Sequence, residues 1–156
     1  MITLTIRPDS WNLPLLLHVG GAMLLVGAVT VAAAVLLLAW KRADPTEAAA
    51  LTRFGFWTLL LAVLPSYVLM RVGAQWIASR EHLENSDATW IGIGFGTADT
   101  GLLVLIAAIV IVGIGVRRLG SGPVGRSVLG RIGAVLALLL LVAYIVAVWA
   151  MTTKPT

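Results

Sequence analysis

The chain has 156 residues, of which 60% are hydrophobic and only 12% charged, and its mean hydropathy is +1.00. A water-soluble body of this size carries roughly a quarter of its residues charged, so the composition excludes an ordinary soluble domain and points to the membrane. The 11 Lys and Arg against 7 Asp and Glu give a net charge of +4, and with no cysteine in the chain disulfides, zinc–thiolate sites, iron–sulfur clusters and thiol nucleophiles are excluded.

Apolar runs lie at about 13–40, 54–78, 90–116 and 132–151, each near or above the ~20 residues a helix needs to cross ~30 Å of hydrocarbon. They predict an all-α membrane protein, a four-transmembrane-helix bundle forming one integral membrane domain over 1–156. The runs are continuous and do not alternate, which argues against a β-barrel. The first run has no basic segment before it and is about twice the length of a signal-peptide core, so it is expected to stay as a helix.

In chain order, the first span carries His18. Asp44, Pro45, Thr46 and Glu47 then read as an N-cap, a proline at the first helical position and an acidic partner, so the second span should begin near Pro45 in the interface. A kink is expected at Pro65. Tyr67, Arg71 and Gln75 follow at i, i+4 and i+8, a polar stripe on one helix face that should turn inward. The connection beyond it holds Glu81, His82, Leu83, Glu84 and Asp87, read as a solvated loop or a weak divalent-cation site, with Ser86 and Asp87 as caps for the third span.

Gly92, Gly94 and Gly96 open the third span. They follow no strand and lack the dinucleotide-binding spacing, so they read as small residues for close helix packing, within the bundle or against a partner chain. Ala28 with Ala32, and Gly133 with Ala137, share the four-residue spacing. Asp99 follows, flanked by Thr97 and Thr100; the stretch from Gly120 to Pro123 is a breaker, and Tyr144 lies in the fourth span.

Lys41, Arg42 and Arg53 lie between the first two spans, and Arg117, Arg118, Arg126 and Arg131 between the last two or at their ends. The other side has Arg7, Arg80 and Lys154, mixed with Asp9, Glu81, Glu84 and Asp87. The positive-inside rule then predicts a multi-pass plasma-membrane protein with both termini on the non-cytoplasmic side. Arg117, Arg118, Arg126 and Arg131 are expected to meet anionic lipid headgroups, an explanation of the basic loops that needs no nucleic acid. Trp11, Trp40, Trp57, Trp76, Trp90 and Trp149 fall near span ends, where indoles sit at headgroup level.

At 1.5 Å per residue, Arg71 lies about 12 Å below the outer end of its span, Asp99 about 14 Å, His18 about 8 Å and Tyr144 about 12 Å. Arg71 and Asp99 at matching depth on antiparallel neighbours invite an ion pair, since each removes the other's uncompensated charge. His18, Tyr67, Arg71, Gln75, Asp99 and Tyr144 therefore form a candidate buried polar layer. It reads either as a clasp fixing helix register or as an outward-facing cavity for a ligand, a proton or a prosthetic group.

No nucleophile–base pair, zinc-protease motif or phosphate-binding loop is present. The leading expectation is a non-enzymatic component, an accessory subunit or a homo-oligomer. The alternative is a haem-binding or redox-associated protein with His18 as axial ligand; being the only histidine in a span, it would need a second chain for bis-histidine ligation. Copper at His18 is less favoured, because Met23 and Met70 share no helix face with it. A third reading is a proton-coupled small-solute carrier using Asp99, which would need a dimer to build alternating access.

The string HVGGAMLLVG, from His18 to Gly27, resembles the first helix of the copper-resistance-D-like superfamily, and most of all its small predicted integral membrane proteins in an actinobacterial, Ala/Val/Leu-rich form. The resemblance implies a four-span bacterial membrane protein and makes His18 a candidate haem ligand, since that superfamily includes copper-resistance proteins and haem-binding protoporphyrinogen oxidases. A tryptophan common in such first helices is replaced here by Leu25.

Overall fold

The computed structural model describes residues 12–81, 89–119 and 128–153. Its helices are α1 (Asn12–Lys41), α2 (Pro45–Thr58), α3 (Leu64–Glu81), α4 (Thr89–Arg118) and α5 (Val128–Thr153), with a π-helical stretch, Leu59–Val63, joining α2 to α3. Four segments are long and apolar enough to cross a membrane: α1, the run Pro45–Arg80, α4 and α5. This is the architecture of a multi-pass membrane protein. The expected connections at 82–88 and 120–127, including the acidic loop, the Ser86–Asp87 cap and the Gly120–Pro123 breaker, lie outside the described residues, as do Trp11 and both ends of the chain.

The second span begins where its capping signal places it. Asp44 accepts a hydrogen bond from the Thr46 amide at 2.9 Å, with Pro45 at the first helical position, while Glu47 turns back to Arg42 at 3.6 Å. The resulting run of 36 residues is about 54 Å long, well over the ~30 Å thickness of a bilayer's hydrocarbon. Pro65 lacks an amide hydrogen and its ring crowds the carbonyl four residues back. The helix meets it with the π-helical stretch, in which the Leu64 amide bonds the Leu59 carbonyl.

α1 packs along the second span on one side and α5 on the other, and α4 closes the bundle chiefly against α5. Leu25, Val29 and Leu36 of α1, Leu59 and Val63 of the π-helical stretch, Leu105 and Val112 of α4 and Leu140 of α5 fill the centre, with Ala32, Ala108, Ala134 and Ala137 between them. Between apolar helices in lipid there is no hydrophobic drive to associate, so dispersion at close range holds them, and small residues permit it. The outer faces remain apolar: Leu24, Leu61, Leu103 and Leu139 are all exposed on the bundle surface.

Between α1 and α3 the backbones themselves come close. A methyl group added at Gly21 would lie 2.5 Å from the Met70 amide nitrogen, and one at Gly73 would lie 2.8 Å from the His18 Cα. Backbone thus meets backbone at two points one turn apart on each helix. Ala32, Gly133 and Ala137 are buried as their spacing predicts, whereas Gly92 and Gly96 are exposed with no atom within 4 Å of an added methyl. The expectation that the Gly92/Gly96 pair packs inside the bundle is therefore corrected: it lies on the outward face of α4.

Candidate functional site

The polar residues gather in the half of the bundle bounded by Asn12, Glu81, Thr89 and Thr153. The Gly21 and Gly73 contacts bring the His18 ring against α3, where Nδ1 donates to the Met70 carbonyl oxygen at 3.2 Å. A carbonyl can only accept, so the proton of this bond is carried by Nδ1. His18 is half-buried.

Arg71 and Asp99 do meet, with Nη2 to Oδ1 at 2.7 Å. The arginine also lies over the Phe95 ring, its Cζ 4.8 Å from the centroid. Phe95 and Asp99 are four residues apart on α4 and so present ring and carboxylate on adjacent turns, a two-sided seat for a planar guanidinium. Sequence reading missed Phe95; its i, i+4 spacing from Asp99 is the signal that was available.

The pair is not enclosed. The Arg71 side chain is 27% exposed and that of Asp99 64%. Gln75 is exposed as well, while Tyr67 is buried and donates to the Ala98 carbonyl at 3.1 Å. The stripe Tyr67, Arg71, Gln75 thus starts in the core and emerges at the α3/α4 rim, which corrects the expectation that the whole face turns inward. Thr100 does not support Asp99, because its hydroxyl donates to the Gly96 carbonyl in its own helix.

Tyr144 is 4% exposed, and its hydroxyl has no hydrogen-bond partner. Its hydroxyl packs against Gly101 of α4, and the residue lines a groove of about 520 Å³ walled by α1, α4 and α5. His18, Met23, Met70, Met151 and Thr97 line the same groove. Met23 and Met70 do share it with His18 although they share no helix face, because Met70 arrives from α3.

Imidazole and thioether are donors that a haem iron or a soft metal accepts. Haem also carries two carboxylates. The groove lining contains no Lys or Arg to meet them, and Arg71 is already held by Asp99 and Phe95. The lining therefore does not fit haem, although His18 has the oriented ring an axial ligand requires. Among the described residues, no three His, Asp or Glu side chains converge on one point.

At the opposite end lie Lys41, Arg42, Arg53, Arg117, Arg118 and Arg131. The Arg131 guanidinium carbon stands 5.6 Å from the centre of the Trp40 ring, and on the far end Arg80 stacks similarly on Trp76 at 5.3 Å. Such Arg–Trp stacks tie an amphipathic ring to a cation at each end of the bundle. No family model, curated protein or solved structure matches the chain.

Proposed function

We propose that the protein is a non-enzymatic, homo-oligomeric component of the plasma membrane, assembled through the α3/α4 rim, with both termini outside and the Lys41-to-Arg53 and Arg117-to-Arg131 segments on the cytoplasmic side against anionic headgroups. The orientation rests on the Lys/Arg asymmetry between the two ends.

One observation carries the assembly reading: an ion pair stands on an outward face of the bundle, inside a span, beside a face of small residues. Gly92, Gly96, Asp99 and Leu103 recur at i, i+4, i+7 and i+11 and are all exposed. Left to lipid, a charged residue at mid-helix costs about 2.5–3.5 kcal/mol on the insertion scale. A second copy related by a two-fold axis would place an equivalent Arg71–Asp99 pair against the first, with each cation near two carboxylates, and the glycines would let the two α4 helices touch.

The absence of cysteine makes the test direct. Gly96→Cys and Gly92→Cys should give disulfide-linked dimers when oxidised in bilayers, and Leu139→Cys, on the exposed face of α5, should not. Equal crosslinking at all three positions, or none at the glycines, removes the reading.

A further inference from the structure

The end of the bundle opposite the ion pair carries one cation that helix chemistry does not explain. Lys41 stands in the last turn of α1, and Arg117 and Arg118 in the last turn of α4, where a cation offsets the negative end of the helix macrodipole. Arg131 is instead the fourth residue of α5, at the positive end of that helix, where a further positive charge is opposed and an anion is favoured. We infer that Arg131, held on the Trp40 ring, is the seat of one anionic phospholipid, whose phosphodiester meets the guanidinium while its acyl chains lie along α5. The inference rests on the proposed placement of this end among anionic headgroups and gives that placement a specific site.

The counter-charge has to come from outside the chain. Between Lys41 and Arg53 the acidic residues are Asp44 and Glu47, and after Asp99 the sequence has none. Asp44 is engaged by the Thr46 amide and Glu47 by Arg42. Arg131 is left with an aromatic face and, among the described residues, no carboxylate. Its Cζ stands 5.6 Å from the Trp40 centroid, and its Nε is buried with no hydrogen-bond partner. The residue as a whole is only half-buried, so the open edge of the guanidinium is its terminal nitrogen pair. Two N–H donors in one plane match two oxygens of a phosphate, and the stack on the indole fixes that plane before a ligand arrives.

Position selects a lipid as the source of that phosphate. Helical side chains lean toward the N-terminus of their helix, so Arg131 reaches from the start of α5 toward headgroup level. Trp40, 40% exposed, is an interfacial ring beside it. Val128, Ile132, Val135 and Leu139 recur at i, i+4, i+7 and i+11 on α5 and are all exposed, an apolar stripe about 16 Å long that starts next to Arg131 and suits an acyl chain. A free phosphate would use the guanidinium and leave this stripe idle. A zwitterionic headgroup would bring its own ammonium to an end that already holds Lys41, Arg118 and Arg131, so the charge balance favours a headgroup with net negative charge.

The test titrates the full-length protein in a zwitterionic detergent with phosphatidylglycerol, with phosphatidylcholine and with inorganic phosphate, while Tm is followed and retained lipid is counted by native mass spectrometry. Phosphatidylglycerol should raise Tm saturably, with one molecule retained most strongly, and the other two should not. Arg131→Gln should weaken the apparent affinity at least tenfold, the worth of a charge-assisted hydrogen bond. Arg53→Gln, which removes the same charge from an exposed position on α2, should change it less than twofold. Should Arg131→Gln fail to fold, Trp40→Leu decides: it keeps the charge, frees the guanidinium from its stack and should weaken binding severalfold. The inference is overturned by undiminished binding in the Trp40→Leu and Arg131→Gln variants, by a response to inorganic phosphate that matches the lipid's, or by equal losses in Arg131→Gln and Arg53→Gln. In that last case the preference for phosphatidylglycerol persists as a diffuse charge effect, so the placement among anionic headgroups stands while the site falls; equal shifts with the two lipids in the parent remove both.

Discussion

Arg71 on α3 and Asp99 on α4 are joined at 2.7 Å while 64% of the aspartate side chain remains exposed on the bundle surface. The ion pair is therefore both a link between two helices and part of an outer face. Removing one partner leaves a lone charge in an apolar setting. Arg71→Leu and Asp99→Leu should each lower the unfolding free energy by about 2 kcal/mol, below the figure for fully buried pairs because this one is partly exposed. The double variant should recover most of the loss. Thermal unfolding of the four proteins in one detergent checks this, and four equal midpoints would show that the pair contributes nothing to folding.

The same arginine has a second support. Phe95 holds the guanidinium from the other side, so Phe95→Leu, which keeps the apolar volume and removes the ring quadrupole, should cost about 1 kcal/mol. That loss should vanish in an Arg71→Leu background. A cycle in which the Phe95 effect is unchanged without Arg71 would assign the cost to packing instead.

Depth could be read from the sequence and rotation could not. Counting residues from the span ends placed Arg71, Asp99, His18 and Tyr144 at similar levels, and the ion pair followed from that one coordinate. Which way each side chain faces depends on rotation about the helix axis. In a soluble helix that angle is marked by a polar face turned to water, but in a span a polar stripe such as Tyr67, Arg71 and Gln75 marks a face without saying whether it meets the core or the rim, and the rest of these helices is apolar on most sides. So Gln75 and Asp99 were expected inside and are found at the rim, and of the two places open to Gly92 and Gly96, within the bundle or against a partner chain, the outward face leaves the second. The start of the second span was legible at Asp44 to Glu47 because a cap is a local pattern. The meeting of Gly21 with Met70, and the groove shared by His18, Met70 and Tyr144, depend on partners that are distant in the chain and left no spacing to read.

The α1/α3 contact gives a prediction with an internal control. At Gly21 an added methyl meets the Met70 backbone nitrogen and Cα, at 2.5 and 2.8 Å, and backbone atoms cannot turn aside. Gly21→Ala should therefore force the helices apart and cost about 1–3 kcal/mol. It should also lengthen the bond from His18 to Met70, visible as a shift of the His18 imidazole resonances. Gly92→Ala meets nothing within 4 Å and should leave monomer stability unchanged or slightly raised through helix propensity. Equal effects at the two positions would show that the close approach is not tight.

At the start of α2, Asp44 satisfies the Thr46 amide. Asp44→Ala should free that donor and cost about 1 kcal/mol. The loss is local, so hydrogen exchange should quicken about fivefold in the first turn after Pro45 while the amides of α4 and α5 keep their protection. An unchanged first turn would mean that packing of Thr52 and Gly55 against the bundle, and not the cap, sets the stability of this end.

Orientation follows from the two ends of the bundle having different charge. Lys41, Arg42, Arg53, Arg117, Arg118 and Arg131 mark one end, with Arg126 in the connection there, while Arg80 at the other end lies next to Glu81 and Glu84 in the chain. Because Lys and Arg resist translocation and acidic residues count little, the first end should be cytoplasmic. In intact cells a membrane-impermeant maleimide should label Glu84→Cys and leave Gly122→Cys unlabelled until the membrane is opened. Single-cysteine variants suit this, since the parent chain has no thiol to give background. Labelling of Gly122→Cys but not Glu84→Cys would reverse the orientation; the α3/α4 rim, with Arg71 and Asp99, would then lie toward the cytoplasmic leaflet, and so would the mouth of the groove beside His18.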